Sequence, residues 1–313
     1  MDLMADIGAT HTRCALLDDQ GKEVAPEVFD NVDFTGLVGI LTVYLDHRRS
    51  SDRPKRAALA IAAPILGDEV RMINIDWHFS QAELKAELGL QRLTLCNDFA
   101  AIAWGLPHLA ATDRTQIGGG TPRPRATMAT LGPGSGIGVS GLVPSADSWT
   151  VMTGEGGHVS LPANTSEEQD VIALLRERFG HCSAERVLSG QGLVNLYVAL
   201  AELAGRGHPT VTPEDVTRLA TQREPLARKT LQMFFAMLGT VAGDLALTTG
   251  ALGGVYIAGG IVPRLVDVLA QSEFRARFEA KGRYSDYMAA IPTYVITTAL
   301  PAFRGLRYLL GYR

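Results

Sequence analysis

A short strand, a glycine-bearing turn and a returning strand occur twice in this chain. That doubled layout restricts the fold more than any other feature. In the first copy, apolar runs at residues 3–5 and 14–17 flank Asp-Ile-Gly-Ala-Thr-His-Thr-Arg at 6–13, and residues 23–28 add a third strand. In the second, runs at 126–131 and 139–143 flank Gly-Pro-Gly-Ser-Gly-Ile-Gly at 132–138, and residues 149–152 add the third. Successive backbone N–H dipoles in such turns converge into an anion-binding concavity. Asp6, just before the first turn, would repel an anion unless a cation lay between them. The pairing therefore points to a Mg²⁺–nucleotide rather than to free phosphate. Taken alone, the segment reads first as an ordinary tight turn after a first strand. Two such units facing each other would form a cleft with a glycine-rich hairpin on each side.

The chain's 313 residues suffice for one large or two ordinary domains. Hydrophobic residues at 46% and charged residues at 20% describe a soluble globular protein. A net charge of −4 gives no basic footprint, which argues against nucleic acid as a partner. Asp2 and Asp6 interrupt the N-terminus before a signal peptide's apolar run forms. The one membrane-like stretch, 231–262, holds Asp244 and several glycines and reads as a buried helix followed by a buried strand, so no membrane association is expected. Cys14, Cys96 and Cys182 are widely spaced and suit neither a disulfide framework nor a zinc site. They read as small buried hydrophobes in a cytoplasmic protein.

Periodicity and breakers place the other elements. A helical period spans 34–46 and a polar, basic run spans 47–56. A buried strand at 57–62 stops at Pro64. Ser80 with Glu83 forms a capping box for a helix closed by Gly89. A short strand at 93–96 delivers Asn97 and Asp98 to a helix at 99–104. Residues 118–124 are rich in Gly and Pro and read as a connection. The second half is mostly helical: 166–179, a turn of helix at 183–188, 192–203, 212–220 and 226–249. A strand at 255–258 ends in Gly259-Gly260 before a helix near Pro263, a last strand spans 295–298 and a closing helix 303–310. The division expected is a small α/β domain of residues 1–109 and 298–313 and a large one of 110–297.

Three places could carry chemistry. Asn97 and Asp98 lie at a strand's C-terminal end, where α/β sheets open onto ligands. An aspartate there can take a proton from a substrate hydroxyl; Asp98 serves equally well as a helix N-cap. In Gly-Glu-Gly-Gly-His at 154–158, the glycines let a ligand approach the main chain, Glu155 can accept hydroxyl protons and His158 can donate or accept. An ordinary satisfied histidine is the alternative for His158. Glu185 is a third acid, or else an exposed helical glutamate paired with Arg186 or a neighbour. Carboxylates with Asn and His suit a neutral, hydroxyl-rich substrate. A glycosidase pair is a further reading of the acids, but hydrolysis needs no phosphate cradle, whereas Gly259-Gly260 before a helix fits a nucleotide.

With these residues together, the chain resembles the bacterial glucokinase family of the actin-like ATPase and hexokinase superfamily over nearly its whole length. The resemblance is carried by residues 153–158, by Ser-Ala-Glu-Arg-Val-Leu-Ser-Gly at 183–190, by 192–197 and by Gly-Val-Tyr-Ile-Ala-Gly-Gly-Ile-Val-Pro-Arg at 254–264. Asn97-Asp98-Phe99, the turn at 132–138 and the tryptophan segment at 74–80 fit it as well. It implies an α/β, two-domain ribonuclease H-like fold with a cleft between the domains, and ATP-dependent phosphorylation of D-glucose at its 6-hydroxyl. By position, Asp98 would be the general base, while Asn97, Glu155, His158 and Glu185 would hold the sugar. Asp6 would act near Mg²⁺ through water; Gly8, Ala9, Thr10, Gly134, Ser135 and Gly136 would line the phosphates; and Gly259 and Gly260 would lie by the adenosine. The family also implies a homodimer and closure of the domains on glucose.

Three departures stand out. The family usually has glycine where this chain has Ala9 and asparagine where it has His11. If Ala9 needed a positive φ, its methyl would cost roughly 1 kcal/mol; if phosphate passes close by, the methyl crowds it. Pro-Ala-Phe-Arg-Gly at 301–305 replaces a Gly-Leu-Leu-Gly loop. Altered nucleotide binding with an intact sugar site is the expectation. A hexose kinase of other sugar specificity and a catalytically weakened sugar-binding regulator are the alternatives. The regulator would need a DNA-binding module, for which a hairpin starting at Asp6 leaves no room, and the zinc-holding cysteine cluster of the repressor-and-kinase branch is missing.

Overall fold

The computed structural model describes residues 1–48 and 53–312, so part of the polar run expected at 47–56 lies outside the described residues. The chain divides into two compact units, Met1–Ala110 with Thr298–Arg313, and Ala111–Thr297.

In the first unit, β1 (Asp2–Ile7), β2 (His11–Leu17) and β3 (Glu23–Asp30) form an antiparallel meander. Helix α1 (Leu37–Asp46) follows, and β4 (Arg56–Ile61) then runs parallel to β1. A separate hairpin pairs β5 (Glu69–Arg71) with β6 (His78–Ser80) and leads into α2 (Gln81–Glu87). Ser80 caps α2 by accepting from the Glu83 N–H at 3.2 Å, one half of the expected capping box. Gly89, at φ +64°, closes α2: its N–H reaches Ala86 O, and the Leu90 N–H reaches back to Lys85 O. Strand β7 (Arg92–Asn97) lies parallel to β4, and α3 (Asp98–Gly105) begins at its end. The sheet order is β3-β2-β1-β4-β7. Alternation along each strand puts Leu3, Ala5, Ile7, Leu59 and Ile61 in a core with Ile40, Leu41 and Tyr44 of α1.

The second unit opens with the edge strand β8 (Arg114–Ile117). Strands β9 (Met128–Pro133), β10 (Ile137–Ser145) and β11 (Ser148–Gly154) form another antiparallel meander. Helices α4 (Ser166–Phe179), α5 (Gly190–Leu203), α6 (Pro213–Thr221) and α7 (Pro225–Thr249) come next. Strand β12 (Val255–Ile257) is parallel to β9; short helices α8 (Val266–Ala270), α9 (Phe274–Glu279) and α10 (Ser285–Ala289) lead to β13 (Thr293–Ile296), parallel to β12. The order is β11-β10-β9-β12-β13-β8. Its first five strands repeat the order and directions of the first sheet, so the doubled layout of the sequence is a doubled topology. Helix α7 is long and apolar enough to cross a membrane by length and composition, yet it is mostly buried within the unit, as a core helix would be. Pro225 in its first turn and left-handed Gly250 at its end bound it.

The last helix, α11 (Pro301–Leu309), belongs to the first unit and packs on α3. A Cβ at Gly305 would overlap the Ala101 main-chain carbonyl, so this glycine lets the two helices approach closely. Trp104 stacks on Tyr308 with ring centroids 5.4 Å apart. The segment expected to be an atypical loop is thus largely helix, and its glycine serves packing.

Candidate active site

In the first unit, the parallel strands β1, β4 and β7 end at one edge, with Ile7, Ile61 and Asn97 in register. The Gly8–Thr10 turn and the Asn97-Asp98 pair leave that edge from the two strands flanking β4. Two strand spacings, about 10 Å, separate β1 from β7. This is the C-terminal end of the sheet's parallel strands, the end at which ligands bind in α/β folds.

Asp6 sits one residue before the end of β1, opposite Arg13 in the ladder, with a carboxylate-to-guanidinium distance of 3.7 Å. Its side chain is only 20% exposed. Burial pushes its pKa above the ordinary carboxylate range, and the Arg13 charge opposes that shift only in part. Within the turn, the Gly8 N–H donates to His11 O at 3.0 Å. Ala9 is not among the non-glycine residues with positive φ, so the strain considered for its methyl does not arise; crowding of a nearby phosphate remains. His11 Nε2 pairs with Asp30 Oδ1 at 2.9 Å.

The N-cap of α3 is Asn97, not Asp98. Asn97 Oδ1 accepts from the N–H groups of Phe99 at 2.9 Å and Ala100 at 3.3 Å. Asp98 Oδ1 also accepts from the Phe99 N–H at 2.9 Å. The cap is thereby supplied by the neighbouring amide, and the carboxylate sits in the first turn of α3, where the helix dipole favours negative charge.

In the second unit, the expected residues again gather at one end of a sheet. The turn Gly134–Gly136 joins β9 to β10, and Gly134 N–H donates to Gly136 O at 2.7 Å. Strand β11 pairs Gly154 with Val139 of β10, which brings Glu155 to the turn's end of the sheet. Glu155 precedes a 3₁₀ turn, Gly156–His158, and the His158 N–H returns to Glu155 O at 3.0 Å. Glu155 and His158 are both exposed, and their side chains hold no partner among the described residues; the satisfied-histidine alternative is not what the structure has. Gly157 packs where a Cβ would overlap the Ile137 carbonyl.

Glu185 lies on a second 3₁₀ turn, Ala184–Arg186, joined to the first by a Ser160–Ser183 bridge. Its carboxylate accepts from the Ile137 N–H at 3.1 Å. Arg186 instead stacks its guanidinium over Phe179 at 4.2 Å, so the surface-pair alternative for Glu185 fails. The Ser189 hydroxyl donates to Glu185 O and accepts from the Gly192 N–H, starting α5, while the Gly190 N–H donates to Gly134 O at 2.8 Å. Gly259, at φ +86°, lies at the end of β12 against the Pro133 carbonyl, where no side chain would fit. Exposed Gly260 follows it. Gly134, Ser135, Gly136, Glu155, His158, Glu185, Gly259 and Gly260 thus share one end of the second sheet. The links through Ile137, Ser189 and Gly190 had no signal in the sequence, because each is a tertiary contact made by a main-chain N–H or a serine.

A meander followed by two parallel strands, used twice in one α/β chain, is the ribonuclease H-like architecture of actin-like ATPases and hexokinases. The family model described as Glucokinase matches residues 3–311. A glucokinase of Paramagnetospirillum magneticum is 47% identical over 99% of this chain and 97% of its own length. The crystal structure of a glucokinase from an Antarctic psychrotroph superposes with a TM-score of 0.87 at 36% identity, covering 100% of this chain and 99% of that one. At 16% identity, a ROK family glucokinase from Streptomyces griseus, solved with glucose and AMPPNP, shares the fold with a TM-score of 0.68 over 98% of both chains. The chain belongs to the glucokinase family.

Proposed function

We propose that this chain transfers the terminal phosphoryl group of ATP to the 6-hydroxyl of D-glucose, with Asp98 as general base. The observation that carries the reading is local to the first unit. An acid that follows β7 and a glycine turn that follows β1 leave the same edge of one sheet, from strands that run parallel. Membership of the glucokinase family supports glucose as acceptor, and the glucose and AMPPNP bound by the Streptomyces griseus enzyme support both substrates.

In this mechanism Asn97, Glu155, His158 and Glu185 accept from and donate to the sugar hydroxyls, orienting the 6-hydroxyl. Asp98 takes the proton of that hydroxyl as its oxygen bonds to the γ-phosphorus. The bond from phosphorus to the β–γ bridging oxygen breaks, and ADP leaves with the electron pair. Main-chain N–H groups of Ala9, Thr10, Ser135 and Gly136 and the Thr10 hydroxyl cradle the phosphates, Gly8 and Gly134 shape the two turns through their bonds to His11 O and Gly136 O, and Gly259 and Gly260 lie by the adenosine.

Asp6 fits a water-bridged Mg²⁺ ligand. No cluster of three or more His, Cys, Asp or Glu suited to a metal exists among the described residues. Mg²⁺ needs none, since it keeps its waters and takes one or two carboxylates together with substrate phosphates. When bound, it supplies neutralisation of charge on the phosphate oxygens. A carboxylate held above its ordinary pKa by burial suits that neighbour, because a cation favours its charged form.

A coupled ADP-release assay over a panel of hexoses and phosphate donors tests the proposal. Turnover should be highest with glucose and ATP. Turnover confined to another hexose would favour a kinase of other specificity, and binding of sugar without turnover would favour the regulator. Ala9 and His11 extend the proposal to altered donor binding: an ATP KM and donor range matching relatives with Gly and Asn there would remove that part. A cytoplasmic homodimer completes it, with sedimentation velocity as the test of the dimer.

A further inference from the structure

Asn31 has no place in the site read from the sequence, yet it is the most heavily used side chain around the first glycine turn. It stands at the end of β3 and is only 1% exposed. Its Nδ2 donates to Gly8 O at 2.8 Å, its Oδ1 accepts from the Thr12 hydroxyl at 2.8 Å, and its main-chain N–H donates to Thr10 O at 2.9 Å. The two carbonyls that flank Ala9's own, those of Gly8 and Thr10, are therefore turned toward one buried residue. In a trans peptide the N–H points opposite to the C=O. Holding the Gly8 carbonyl on Asn31 aims the Ala9 N–H away from Asn31, and holding the Thr10 carbonyl does the same for the His11 N–H.

We infer that Asn31 is a positioning residue for the phosphate donor, fixing the direction in which the Gly8–Thr10 turn presents its main-chain donors. The inference rests on the reading that this turn holds the phosphates of ATP. The same residue also explains why the turn tolerates Ala9. A turn held through the carbonyls on both sides is defined by its neighbours and does not depend on a second glycine for its shape. No catalytic contact is assigned to Asn31: it acts through the peptide planes it holds.

Asn31→Asp separates this role from simple bracing. The aspartate still accepts from Thr12, but it loses the amide donor to the Gly8 carbonyl and sets two acceptors against each other. Thr12→Val removes the Thr12 link and leaves the turn links in place, and Thr10→Val probes the turn directly. The full-length enzyme is assayed in each case with ATP and with glucose as the varied substrate. Asn31→Asp is expected to raise the ATP KM about tenfold or more with the glucose KM changed less than about twofold. Asn31→Ser, which retains a hydroxyl donor, should recover part of that loss, and Thr12→Val should leave the ATP KM within about twofold. An unchanged ATP KM in folded Asn31→Asp, or equal rises in both KM values, overturns the positioning role. If Thr10→Val raises the ATP KM while Asn31→Asp does not, the turn reading stands and the inference falls. If neither variant moves it, both fall.

Discussion

The Glu185 carboxylate accepts a hydrogen bond from the Ile137 main-chain N–H at 3.1 Å. The acid read as a sugar ligand is thereby fastened to the turn read as a phosphate cradle. Gly136 belongs to the same contact, since a Cβ there would overlap the Glu185 carboxylate. In the second unit, residues proposed for the sugar and residues proposed for the phosphates share one small piece of geometry.

Gly136→Ala should therefore disturb both substrates. The added methyl pushes the carboxylate off the Ile137 N–H, and an N–H left without its partner costs about 1–3 kcal/mol if no water replaces it. Initial-rate kinetics should give a rise of about tenfold in the glucose KM along with a rise in the ATP KM. An effect on ATP alone would mean that Glu185 does not hold the sugar.

Asp6 predicts a pH-dependent exchange of stability for function. Unfolded, its carboxyl ionises near the ordinary value of 3.8; folded, burial holds the proton to higher pH. Between those two pKa values the folded state binds more protons, so stability falls as pH rises. The cost is absent below the unfolded value and complete above the folded one. Unliganded Asp6→Asn should melt a few degrees (~2–4 °C) above the parent at neutral pH. That advantage should shrink as the pH falls toward about 4, while Mg²⁺–ATP turnover is largely lost. A lower melting temperature than the parent at neutral pH would contradict the burial argument.

Gly305 predicts a defect confined to stability. Its Cβ would overlap the Ala101 carbonyl, which is main chain and cannot rotate aside. Gly305→Ala should force α11 away from α3 and cost about 1–3 kcal/mol by urea unfolding. Near-parental stability would mean the two helices are less tightly seated.

Legibility in the sequence followed length, period and punctuation. Helix α4 is found at Ser166–Phe179, the residues its period and flanks indicated. Helix α7 differs by one residue, because a long apolar period lies between Pro225 and Gly250. The hairpin Glu69–Arg71 with His78–Ser80 was missed: three-residue strands carry no measurable period and exist only through their pairing. The edge strand Arg114–Ile117 is largely exposed and polar, and α9 and α10 are five or six residues long, so each lacked a signal.

The position of Asn97 and Asp98 at the end of a strand was legible, because a short apolar run precedes them and a helical segment follows. Which of the two caps α3 was not legible, since both residues suit the position and the backbone decides. Ala9 shows the opposite limit. Its possible strain followed from residue type alone, whereas its φ is not positive, and the turn around it is bonded to Asn31 through contacts far apart in sequence.

In the proposed mechanism Asp98 takes the proton from the sugar's 6-hydroxyl, and the Asp98→Asn variant isolates that step. The amide keeps the oxygen that accepts from the Phe99 N–H and removes the base. Glucose titration calorimetry and ADP-release kinetics on the same preparation should give a glucose Kd within about threefold of the parent and a kcat lower by roughly 10³-fold or more. A kcat within about tenfold of the parent, with glucose binding intact, would contradict the account.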